Sequence, residues 1–116
     1  MKQGRIEMDG EIIRSVLKSK QRVSILRYLW DKYPQKAYLS EITRGIQSDF
    51  SNTHGALNGM NNHRWAVELS LVALGLVEKI SIKKSTYYKL NSERIQDIQD
   101  ILNMVNNKGK EVIIDE

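Results

Sequence analysis

Asn52, Asn58 and Asn62 lie close together in a stretch that carries few charges. Each amide holds a donor beside an acceptor, the pairing that reads an adenine edge. Ser51 and Thr53 add hydroxyls able to bind a phosphate or a base, and His54 and His63 sit in the same region. Further on, Lys83-Lys84 falls between two β-prone runs, so two cations come to a hairpin tip suited to phosphate. Arg44, Arg64 and Lys79 can extend that basic rim. The plain alternative is a solvated helix face and a hairpin whose lysines serve solubility. Gly55 and Gly59 weigh against it, because each costs about 1 kcal/mol of helix stability relative to Ala. Glycine there lets the face approach another backbone, whether nucleic acid or a neighbouring helix.

Other chemistry finds little support. The two histidines lack the helical spacing and companion ligands of a metal pair, so no metal or cofactor is expected. Cysteine is absent, which excludes disulfides, thiolate sites and cysteine nucleophiles. No Ser, His and Asp fall at catalytic spacing, and no enzyme is expected. A chain of 116 residues suits one domain, and a net charge of +4 suits a polyanionic partner. No apolar run approaches the roughly 18 residues of a membrane span, and no signal-peptide core opens the chain, so a cytoplasmic protein without membrane contact is expected.

The elements that must hold these residues follow from periodicity. Residues 1–10 are polar and read as a loose segment. Ile12, Ile13, Val16 and Leu17 keep helical spacing, as do Val23, Leu26, Leu29 and Trp30, with Ser19 as a cap between them. Helices are expected over 10–18 and 20–33, the second ended by Pro34. Leu39-Ser40 opens a short helix to Ile46, with Ser40 as its cap. Ser48-Asp49-Phe50-Ser51 then forms a turn and cap. Phe50, Thr53, Leu57 and Met60 make an inward stripe on a helix over 52–60, which turns Ser51, Asn52, Gly55, Asn58, Gly59 and Asn62 outward. Residues 64–74 are apolar on two sides and read as a buried helix, with Gly75 beyond its end at positive φ. Two strands flank Lys83-Lys84-Ser85. A helix over 92–108 carries Ile95, Ile98, Leu102 and Val105 on one face, and 109–116 form a tail. Trp30 and Trp65 are core residues, although a pocket between their helices could take an apolar effector of unknown identity.

This order resembles a prokaryotic winged helix-turn-helix transcriptional regulator of the ArsR or MarR type. The residues that carry the resemblance are Arg22-Val-Ser-Ile-Leu-Arg-Tyr-Leu29, Leu39-Ser-Glu-Ile42, Leu71-Val-Ala-Leu-Gly-Leu-Val77 and Thr86-Tyr-Tyr-Lys-Leu90. The implied fold class is mainly α with a small β-hairpin: a winged helix-turn-helix over 11–91 with an additional C-terminal helix. One departure is the length of the segment from Ser51 to Gly75, longer than one helix needs. The recognition helix is therefore either 52–60 or a later one near 63–74, and the Phe50 stripe favours the first.

Two functions follow from this reading. The leading one is a sequence-specific regulator binding double-stranded DNA, with the polar helix in the major groove and the basic wing on flanking phosphates. The alternative is a winged-helix protein-interaction module that binds no nucleic acid. The stripe Ile95-Ile98-Leu102-Val105 either packs on its own domain or forms a homodimer seam. The seam is favoured, because the stripe lies outside the minimal winged-helix core, where many regulators of the resembled type pair. Palindromic half-sites would then mirror the two-fold axis.

Overall fold

The computed structural model describes residues 10–60 and 65–114, and side chains up to residue 105. The loose segment expected at 1–10 and the pair Asn61-Asn62 lie, apart from Gly10, outside the described residues. Five α-helices and three strands follow in the order α1 (Gly10–Lys18), α2 (Lys20–Lys32), β1 (Ala37–Tyr38), α3 (Leu39–Gly45), α4 (Phe50–Asn58), β2 (Val77–Ile82), β3 (Ser85–Leu90) and α5 (Ile95–Ile114). Among the described residues no helix is long and apolar enough to cross a membrane.

Local chemistry explains most of the boundaries. Ser19 separates the first two helices, its hydroxyl accepting the Arg22 N–H at 3.1 Å. At the start of α3 the expected Ser40 cap gives way to Glu41, whose carboxylate accepts the Tyr38 N–H at 2.7 Å. That helix closes with the Gln47 N–H on the Arg44 carbonyl and the Ser48 N–H on the Thr43 carbonyl, 3.2 and 3.0 Å. This paired closure demands a left-handed residue, and Gln47 takes it at φ 57° where glycine is usual. Asp49 caps α4 by accepting the Asn52 N–H at 2.7 Å, so the helix begins at Phe50 rather than at 52.

The sheet is antiparallel in the order β1-β3-β2. Val77 pairs with Leu90 at its base and Ile82 with Ser85 at its tip. The short β1, absent from the sequence reading, pairs Ala37 with Tyr88 and Tyr38 with Tyr87. Burial declines along the hairpin: Val77 and Leu90 are sealed, whereas Ile82 is 44% exposed. The hairpin thus stands away from the core at its tip.

Of the helix expected over 64–74, the described part from residue 65 on does not form an α-helix. Val67–Leu69 makes one 3₁₀ turn and Leu71 to Gly75 is a run of turns. The cause is the end of α4, whose last carbonyls need donors. The Leu71 N–H bonds the Ala56 carbonyl and the Val72 N–H bonds the Leu57 carbonyl, both at 3.0 Å. Those amides serve α4 and leave their own segment irregular. Gly75 does take positive φ, at 79°, as expected.

The core gathers Ile25, Leu26 and Leu29 of α2, Ile42 of α3, Leu57 of α4, Leu71, Leu76, Leu90, and Ile98, Ile101 and Leu102 of α5. Two of the four residues expected to form a homodimer seam on α5 belong to this core. Ile98 is fully buried and Leu102 is 6% exposed, both inside their own domain, with Ile95 packed beside them. Val105 is half-buried. The sealing layer over α2 needs those side chains, so they are not free for a second chain. The helix also continues to Ile114, where a tail from 109 was expected.

Two measurements test these points. Gln47→Gly relieves the left-handed strain, worth about 1–2 kcal/mol for an L-residue, so urea unfolding should show a higher midpoint with an unchanged slope. Leu102→Ala should cost about 2–5 kcal/mol, as core truncations do. A Leu102→Ala protein of normal stability that sediments at half the wild-type mass would return this residue to a seam.

Candidate nucleic-acid interface

Two elements can reach a groove and its rim: the exposed side of α4 and the β2–β3 hairpin. They are joined where the Asn58 amide donates to the Tyr88 hydroxyl at 3.0 Å. Tyr88 pairs with Lys79, so the Lys83-Lys84 tip lies four residues further along β2, roughly 13 Å at 3.3 Å per residue. Lys83 and Lys84 are exposed, and Lys83 holds φ 56° at the turn. Lys79 and Arg44 are also exposed. None of these four cations has an ion-pair partner among the described residues. Their charge is available to a polyanion.

The amides behave differently from expectation. Asn52 was expected to face outward, but its Oδ1 accepts the Trp65 indole N–H at 3.2 Å. Its Nδ2 donates to the Asp49 carboxylate at 2.9 Å. Trp65 is 6% exposed and packs against α4, where a Cβ on Gly55 would come within 2.5 Å of the ring. Gly59 at φ 85° brings Val67 equally close, since a Cβ there would meet the Val67 Cα at 2.4 Å. The glycines thus admit a neighbouring segment of the same chain rather than DNA. Asn58 is engaged by Tyr88. Thr53 is buried, its hydroxyl donating to the Asp49 carbonyl at 2.8 Å. These three polar residues hold α4 in place.

What α4 leaves to solvent is a narrower face: Phe50, Ser51 and His54. Ser51 faces outward as expected, and His54 is exposed on the same helix. Phe50 does not, being 58% exposed where an inward residue was expected, because the Asp49 cap turns the first helical position outward. Asn62, His63 and Arg64 lie outside the described residues.

Arg22 was read only as part of a core helix. It is 6% exposed, its guanidinium carbon 5.2 Å from the Trp65 ring centroid. Burial holds its pKa below the usual arginine value. The spacing of Glu11, Arg14, Ser15 and Lys18 along one side of α1 could have drawn attention to the cleft they form with it.

Asn52→Ala tests the inward role. It strands the buried indole N–H, so thermal or urea unfolding should show a loss of about 1–3 kcal/mol. Unchanged stability would put the amide back on the outer surface. Gly55→Ala should also destabilise, by about 1–3 kcal/mol, since the added methyl overlaps the indole.

Residues 12–112 match the EarA-like family. An uncharacterised protein of Methanocaldococcus jannaschii is 48% identical over 83 residues, which span 72% of this chain and 74% of the relative. No solved structure matches the chain. With the family match running from α1 through most of α5, the chain belongs to the EarA-like family.

Proposed function

We propose that this chain is a cytoplasmic, sequence-specific DNA-binding transcriptional regulator built as a winged helix-turn-helix. The observation that carries this reading is the order of parts. Three helices, α2, α3 and α4, precede a two-stranded hairpin, and β1, which lies between α2 and α3, pairs with the returning strand β3. In that arrangement α3 and α4 form the helix-turn-helix, α4 enters the major groove, and the hairpin is the wing.

The exposed side chains suit those roles. Phe50 can pack on a thymine methyl, while Ser51 and His54 can hydrogen-bond base edges or phosphates. Both oxygens of the nearby Asp49 carboxylate are occupied by Asn52, which tempers its repulsion of phosphate. Lys83 and Lys84 grip the flanking backbone. The same proposal has the protein bind a palindromic operator as a homodimer, through surfaces other than Ile98 and Leu102.

Exposed Phe50 also favours a second reading, a winged-helix module that docks on another protein. Salt separates the two, since counterion release makes DNA affinity fall steeply with salt. Replacing both Lys83 and Lys84 by Ala should weaken binding to every duplex alike. It should also flatten the plot of log K against log salt by about 2, at roughly 0.9 per neutralised phosphate. Sequence preference should survive. Fluorescence anisotropy on duplexes selected from genomic DNA reads both quantities, and an unchanged slope removes the wing from the interface.

A further inference from the structure

The cleft between α1 and α2, of about 510 Å³, is lined by Glu11, Arg14, Ser15, Lys18, Ser19 and Arg22. Its size falls within the range of small-molecule sites. Positions 11, 14, 15 and 18 share one side of α1 at helical spacing, and the N-terminus of α2 opens onto the same place at Ser19. Three cations face one carboxylate. Arg14 and Lys18 are exposed, but Arg22 is 94% buried, and its Nε has no hydrogen-bond partner among the described residues. A guanidinium taken so far out of water carries a cost that an anion bound beside it in the cleft would offset.

We propose that this cleft is a phosphate-binding site, with Arg22 as its inner anchor. Arg14 and Lys18 close on the anion from α1, and the positive end of the thirteen-residue α2 adds to the field. Phosphate fits better than a carboxylate because three cations and two serine hydroxyls converge on the cleft, matching an anion with several acceptor oxygens. Two sources present that chemistry: a phosphorylated small molecule and the backbone of a DNA strand. The second is within reach of α4, because the Gln21 amide donates to the Ser48 hydroxyl, at 2.6 Å, in the turn that leads into that helix.

The probe is inorganic phosphate, with sodium chloride at equal ionic strength as control. ¹⁵N NMR follows the Arg22 Nε–H, which is buried, and the two indole N–H signals, with Trp30→Phe assigning that of Trp65. Phosphate should shift the Arg22 and Trp65 signals along a saturable curve with a millimolar midpoint, and chloride should not. Arg14→Ala with Lys18→Ala changes exposed side chains only and should raise that midpoint about tenfold or more while leaving the melting temperature in place. A flat titration, an equal response to chloride, or an unaltered midpoint in the double variant would overturn the site.

The double variant also distinguishes the sources. A DNA salt slope reduced by about 2 assigns the phosphate to the strand, and an unchanged slope assigns it to a free phosphorylated molecule. Wild-type protein that binds phosphate but no duplex would keep the site and overturn the DNA reading instead.

Discussion

One indole ring organises the exposed half of this molecule. Trp65 lies on α4 at Gly55, where a Cβ would crowd the ring, and ties its N–H to Asn52. The same ring lies 5.2 Å from the Arg22 guanidinium carbon near the start of α2. A flat aromatic surface of this size contributes both buried area and a cation–π contact. Its position decides which side of α4 meets solvent. Once Trp65 covers the side bearing Asn52 and Gly55, only Phe50, Ser51 and His54 remain for a partner.

The rest of the chain follows from holding α4 that way. Its last carbonyls have no donors within the helix, as at any helix end, and those of Ala56 and Leu57 take theirs from Leu71 and Val72. Those bonds draw the apolar 65–76 stretch tightly across the end of α4, and Leu71, Leu76 and Val77 enter the core there. The chain emerges from this fold-back directly into β2, so the root of the hairpin is placed relative to α4. The Asn58–Tyr88 bond fastens the two a second time. The proposed groove-binding helix and wing would need a fixed spacing, and backbone and side chain both hold α4 and the hairpin at one.

Legibility in the sequence tracked the range of the interactions. Helices α1 and α2 and the two-lysine hairpin were readable because their determinants are local: an apolar stripe, a serine cap and β-prone runs around a turn. Strand β1 is two residues long and exists only through its pairing with β3, so no local pattern marks it. The 64–74 segment was misread because apolar residues on two sides fit a helix buried twice. The competing demand came from the carbonyls of another element. The amides failed for a related reason, since an asparagine's type does not reveal whether its partner is a base or the protein's own tryptophan. Charge was more reliable: Arg44, Lys79, Lys83 and Lys84 all stand exposed, because burying an unpaired cation is too costly for a small domain to tolerate.

Arg22 is the exception to that rule, and its exception has a structural consequence. The guanidinium lies at the junction of the α1–α2 cleft and the Trp65 ring. An anion that bonds it from the cleft changes its charge balance and its hold on the indole together. The indole in turn seats α4 through Asn52 and Gly55. Occupancy of the cleft can therefore bias the helix proposed to enter the groove with no contact to DNA of its own, provided the anion favours one seating of Trp65 over another. The path is a single side chain deep at each step, so the coupling should be lost when the indole is replaced, even by an aromatic ring that fills the same space without its N–H.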